Sequence, residues 1–154
     1  MKALQLFFQT RNDFAPVLMR LGLAVVMFPH GAQKVLGWFG GYGFSGTMKF
    51  FTESMNIPAP VAVLAILAEF LGPIGLVLGL GTRLAAFGIG ATITVAALMA
   101  HTANGFFMNW SGKQAGEGYE YHILMAVLAF AVVIQGAGRW SLDALVAKKL
   151  EAKN

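Results

Sequence analysis

Apolar residues fall into four long blocks, residues 14–37, 60–80, 84–105 and 119–136, separated by short polar or glycine-rich segments. About 20 apolar residues in helical form span the hydrocarbon core of a bilayer, so the pattern predicts four transmembrane helices. The second block, Pro58–Leu80 with its lead-in, holds one carboxylate, Glu69, almost at its centre. A carboxyl group at that depth is costly and should face protein or trapped water, with a partner. Gly72 and Gly79 are expected on the same helical face as Glu69, with Leu76 between them, so that a second helix can approach the carboxylate.

The connecting segments carry their own signals. The start, MKALQLFFQTRND, has too short an apolar core for a signal peptide. It is expected to be an uncleaved interfacial segment, with Leu4, Phe7 and Phe8 touching the membrane. Asn12 or Asp13 is the expected cap of the first span, and Pro16 is tolerated in a first turn. The glycine-rich stretch from Trp38 leads into Met48, Phe50, Phe51 and Met55, which predict a short amphipathic helix on the outer surface, ended by Asn56 and Pro58. The turn Gly81-Thr82-Arg83 is too short for anything but antiparallel neighbours. Trp38, Tyr42, Trp110 and Tyr119 fall at the outer boundary, as in an aromatic belt. The tail places Leu142, Leu145, Val146 and Leu150 on one face behind a capping Ser141, so it is expected to lie along the cytoplasmic surface. The fold expected is an all-α membrane protein: a single transmembrane domain over 1–154, a four transmembrane helix bundle with a short outer surface helix and a C-terminal interfacial helix. The two helix pairs show no convincing internal repeat.

Composition agrees with this class. Of 154 residues 57% are apolar and 12% charged, against about 25% charged in a typical soluble domain. With no cysteine, disulfides, thiolate nucleophiles and cysteine-ligated metal or iron–sulfur centres are excluded. The net charge of +4 reflects basic residues flanking apolar spans rather than a nucleic-acid surface. With both termini inside, one side holds Lys2, Arg11, Arg83, Arg139, Lys148, Lys149 and Lys153, and the outer loops hold Lys49 and Lys113. That bias predicts a multi-pass protein of the plasma (inner) membrane with cytoplasmic termini.

Helical geometry then gathers the polar residues. Arg20, His30 and Lys34 fall within about 80° of one another on the first helix. Thr94, Ala97, His101 and Asn104 form one stripe on the third, and the fourth opens with Glu117, Glu120, Tyr121 and His122. Three helices therefore bring polar groups into the outer half of the membrane, just above Glu69. Glu69 and His30 are the candidate catalytic residues, as proton partners. Arg20, Lys34, His101, Asn104, Glu120, Tyr121 and His122 are the candidate binding pocket. Each has a structural alternative: a carboxylate bonded to a neighbouring helix for Glu69, snorkelling for Arg20, interfacial anchoring for Lys34. A metal site from His30, His101, His122 and Glu120 lacks H-x-x-x-H or E-x-x-H spacing, so none is expected. No histidine sits at mid-depth for a haem. Gly136-Ala137-Gly138 lacks the strand of a phosphate loop, and Asp143 lies on the wrong side of the membrane for a Ser/His/Asp triad.

The chain resembles the DoxX family of small four-span membrane proteins. The resemblance is carried by RLGLAVVMFPHGAQKVLGWFGG (Arg20–Gly41), AEFLGPIGLVLGLGTRLAA (Ala68–Ala86), GEGYEYHILM (Gly116–Met125) and GAGRWSLDAL (Gly136–Leu145). It implies a four-helix bundle in the plasma membrane, with His30, Lys34, Glu69 and Glu120 at the family's recurrent polar positions. It further implies a membrane subunit or accessory of a quinone-linked oxidoreductase or respiratory-type complex. No intrinsic cofactor is expected; quinone is the candidate ligand, and membrane lipids, a redox protein and a homo- or hetero-oligomer are the candidate partners. The competing readings are a non-enzymatic binder or transporter of a lipid or small solute, and a structural assembly factor.

Overall fold

The computed structural model describes residues 2–152. Helix α1 covers Lys2–Phe8 and α2 covers Ala15–Leu36. A 3-10 turn at Trp38–Gly40 leads to α3, Gly43–Lys49, which runs on into a π turn at Phe50–Ser54. Then come α4, Ala59–Leu78, and α5, Thr82–Ala96, which is prolonged by a π turn at Ala97–His101 and a 3-10 turn at Thr102–Asn104. Helix α6 covers Glu120–Gln135 and α7 covers Leu142–Glu151. Helices α2, α4 and α5 with its extension are long and apolar enough to cross a membrane, and α6 is a shorter fourth apolar helix.

The ends follow local chemistry. Gly79 adopts the left-handed conformation (φ 62°) that closes α4, and Leu80 N–H bonds back to the Gly75 carbonyl at 2.9 Å, a Schellman-type ending. Gly79 therefore lies beyond the helix and does not continue the Glu69 face, as its spacing alone suggested. Helix α2 starts from Phe14 without a side-chain cap. Asn12, one of the expected caps, instead accepts from Arg139 Nε, and the Asp13 carbonyl accepts from the Arg139 N–H. Ser141 does cap α7, accepting from the Ala144 N–H at 3.3 Å.

The four apolar helices close into a ring in the order α2, α4, α5, α6, with α6 returning to α2. Leu23, Ala24, Met27, Leu76, Ile89, Met125, Ala129 and Val132 fill its centre. Gly72 meets the Ile89 side chain of α5, and Gly90 meets Ala129 of α6. Side chains on the outer faces, such as Val25, Leu64 and Leu124, stay exposed, as lipid contact requires. Trp38, Tyr42 and Trp110 are exposed at the end opposite the chain termini.

The end of the ring where α2 and α5 begin is held by three charged side chains. Arg20 is only 2% exposed, so it does not snorkel. Its guanidinium donates to the carbonyls of Leu76 at 2.5 Å, Val77 at 2.7 Å, Ala137 at 3.0 Å and Trp140 at 2.9 Å. The last carbonyls of α4 lack their usual i+4 donors, Leu76 accepting instead from the Gly79 N–H at 3.2 Å, and a cation there also suits the helix dipole. Arg83 does the same for α6, donating to Val133 and Ile134 carbonyls. Asp143 accepts from the Gly81 and Thr82 N–H groups at 2.7 and 2.9 Å, which caps the start of α5. The Gly136–Asp143 segment threads through this hub, with positive φ at Gly136 and Gly138. A β-carbon at Gly138 would press on Pro16 and the Asp13 carbonyl at 2.9 Å.

These contacts predict stability effects. Asp143→Ala should cost about 1.5–3 kcal/mol, because two N–H groups lose a charged acceptor. Arg20→Lys should not rescue Arg20→Met, since one ammonium cannot reach carbonyls arranged around a planar fork. Thermal unfolding in mild detergent measures both.

Candidate functional site

At the opposite end of the bundle α2 and α4 meet across a glycine. A β-carbon at Gly31 would overlap the Glu69 carbonyl and come within 2.6 Å of Phe70 Cα, so only glycine fits. Pro73, four residues on, has no N–H to give that carbonyl and is buried inside α4. The freed Glu69 carbonyl therefore faces the Gly31 α-carbon, a geometry suited to a weak Cα–H···O contact. Phe28 stacks on Phe70 beside the crossing, with ring centroids 6.2 Å apart.

This close approach places Lys34, one turn beyond His30, against Glu69. Lys34 Nζ lies 2.5 Å from Glu69 Oε2, and the Glu69 side chain is 7% exposed. The pair is the polar centre of the site. His30 lies within electrostatic reach of both charges, as Tyr121 does of Glu69. His122 is within reach of His101 and His30, and its ring sits 4.0 Å from that of His101. The π turn that ends α5 at His101 adds a residue to the turn and sets the direction of that imidazole; such bulges often mark functional positions.

The members differ in access. His122 is buried, His101 and Tyr121 are partly buried, and His30 is exposed on the side of the bundle. Tyr121 Oη and His122 Nδ1 are buried and have no hydrogen-bond partner. Thr82 Oγ1 and Arg83 Nε are also unpartnered at the far end; the Tyr121 and His122 atoms differ in lying beside an ion pair and a second imidazole, where a water or ligand would complete them.

Other expected members lie elsewhere. Arg20 belongs to the hub at the far end, bonded to carbonyls around Leu76 and Ala137; its angular position on α2 was right, but its depth separates it from Glu69. Glu120 accepts from the Met108 N–H at 2.9 Å and Asn104 donates to the Glu117 carbonyl at 3.0 Å. Both pin the loop between α5 and α6 over this end of the bundle. Thr94 is exposed and bonds back to the Gly90 carbonyl at 2.7 Å, so it leaves the stripe. Among the described residues no group of three or more His, Cys, Asp or Glu is placed to hold a metal ion.

The DoxX family model matches residues 15–102, which run from the start of α2 through the histidine that ends the π turn. The chain belongs to the DoxX family. A similar protein from Haemophilus influenzae, itself described as uncharacterized, is 29% identical over 140 residues, covering 90% of this chain and 87% of that protein. No solved structure matches. The DoxX match takes in Gly31, Lys34, Glu69 and His101, whereas Tyr121, His122 and Asp143 lie beyond it.

Lys34→Met should cost about 3–5 kcal/mol, because it strands a carboxylate in a dry site. The double variant Lys34→Met/Glu69→Leu should recover most of that loss, as a packed apolar pair has no stranded charge. Gly31→Ala should cost about 1–3 kcal/mol by forcing α2 off α4. Unfolding midpoints of the four proteins in one detergent separate these effects.

Proposed function

We propose that this DoxX protein is a membrane subunit, or a close accessory, of a quinone-linked oxidoreductase of the plasma membrane, with both termini cytoplasmic. The orientation rests on the lysine and arginine bias. The observation that carries the functional reading is the pair of unpartnered buried groups, Tyr121 Oη and His122 Nδ1, beside the Lys34–Glu69 ion pair.

A quinone head group fits this donor set. Its carbonyl oxygens accept hydrogen bonds, and the orphaned tyrosine hydroxyl and imidazole nitrogen are groups that can donate them. A bound quinone would supply the redox chemistry, taking up a proton with each electron. The residues supply the rest. Tyr121 and His122 orient the head group, and Glu69 and Lys34 set the local charge. His30, within electrostatic reach of Glu69, acts as its proton partner. Positioned proton donors of this kind contribute about 10²–10⁴ in rate. Electrons come from a partner redox protein, since the chain has no cysteine to carry a dithiol or an iron–sulfur centre.

The test combines purification and respiration. Protein isolated in mild detergent should retain quinone and copurify with a redox subunit. Glu69→Gln should lower quinone-dependent electron transfer per molecule at least tenfold while the partner still copurifies. Full activity in Glu69→Gln, with no quinone retained by the unaltered protein, would refute the reading. A lipid or solute binder would instead show bound lipid or solute and an uptake defect, and an assembly factor would show lowered abundance with normal activity per molecule.

A further inference from the structure

We propose a second, separate binding site at the end of the bundle that carries the chain termini, for the phosphodiester headgroup of an anionic membrane phospholipid. A cavity of about 670 Å³ opens there between the α1–α2 link, the end of α4, the loop after α6 and α7. Its volume lies within the range of built small-molecule sites.

The walls have two characters. Arg11, Arg139 and Lys148 bring cations, against Glu151 as the lining carboxylate. Arg139 is fixed in place, with Nε donating to the Asn12 carbonyl at 3.0 Å. Among the described residues the ion pairs are Lys34–Glu69 and Lys49–Glu53, so the three cations are not neutralised by contact. Leu78 and Leu145 form the apolar part and are exposed; Leu78 ends a membrane-spanning helix. Cations above a lipid-facing apolar wall match an amphiphile with a phosphate head and acyl tails, and basic pockets at helix ends bind anionic lipids in this way.

Trp140 is an independent sign. It lines the cavity, is 76% exposed, and holds φ at 51°, a conformation that a bulky residue adopts only under constraint. Arg20 binds the Trp140 carbonyl at 2.9 Å. An exposed indole beside a charged cavity suits the headgroup level, with one apolar and one wet side.

The site does not depend on the quinone reading, and its test does not involve electron transfer. Full-length protein in mild detergent is titrated with phosphatidylglycerol or phosphatidylcholine, and bound lipid is counted by native mass spectrometry. Phosphatidylglycerol should bind preferentially, and Arg11→Gln/Lys148→Gln should weaken it about tenfold or more. Lys113→Gln, at the other end of the bundle, should leave it unchanged. Lys148→Gln alone should give an intermediate loss, and unfolding midpoints in phosphatidylcholine should match, which excludes misfolding. Equal retention of the two lipids, or undiminished phosphatidylglycerol binding in the double variant, would overturn the proposal. Inorganic phosphate is the remaining arm: stabilisation by phosphate without lipid retention would overturn the lipid assignment.

Discussion

An ion pair inside a membrane survives only if both partners find each other and the surrounding packing keeps them together. Here Lys34 reaches Glu69 at 2.5 Å because Gly31 lets α2 lie directly on the backbone of α4. Isolated charges in a low-dielectric medium are costly enough to be avoided or neutralised. The glycine is thus a condition for the charge pair, and the pair is a condition for a polar cluster at that level. Pro73 contributes from the other side: by lacking an N–H it leaves the Glu69 carbonyl to face the α2 backbone.

The two ends of the bundle use buried charge for different purposes. At the end carrying the termini, three charged side chains are bonded to backbone groups. Arg20 serves the end of α4, Arg83 the end of α6 and Asp143 the start of α5. These three side chains are held in place by those backbone bonds. At the other end the accounting is incomplete, with Tyr121 Oη and His122 Nδ1 unpartnered. Thr82 Oγ1 and Arg83 Nε are unpartnered at the first end as well, so what distinguishes the Tyr121 and His122 atoms is their place beside an ion pair and a second imidazole.

Much of the fold was legible in the chain. The spans, the tight Gly81–Arg83 turn, the short helix between the first two spans and the Ser141 cap all follow from apolar run length and local residue chemistry, which are short-range signals. That Glu69 needs a partner was legible, since a carboxylate in an apolar span demands one, but the sequence pointed to His30 as that partner, whereas the ion pair is with Lys34. Depth and direction were not. Arg20 shares an angular sector with Lys34, but angle on a helix does not say which end of a neighbouring helix it meets. His101 and Thr94 were placed on one stripe by a 3.6-residue period that the π turn at Ala97–His101 breaks. Asp143 looked irrelevant because it was weighed against distant histidines, and its capping of α5 depends on a return of the chain that no local pattern records.

The central claim is the contact between Lys34 and Glu69 within the bilayer. Solid-state NMR of the protein in lipid bilayers, with ¹⁵N in lysine side chains and ¹³C in glutamate carboxylates, measures it directly. One strong Nζ–carboxylate dipolar coupling is expected, in keeping with 2.5 Å between nitrogen and oxygen, and it should disappear in Glu69→Gln. Signals from both residues without such a coupling would contradict it.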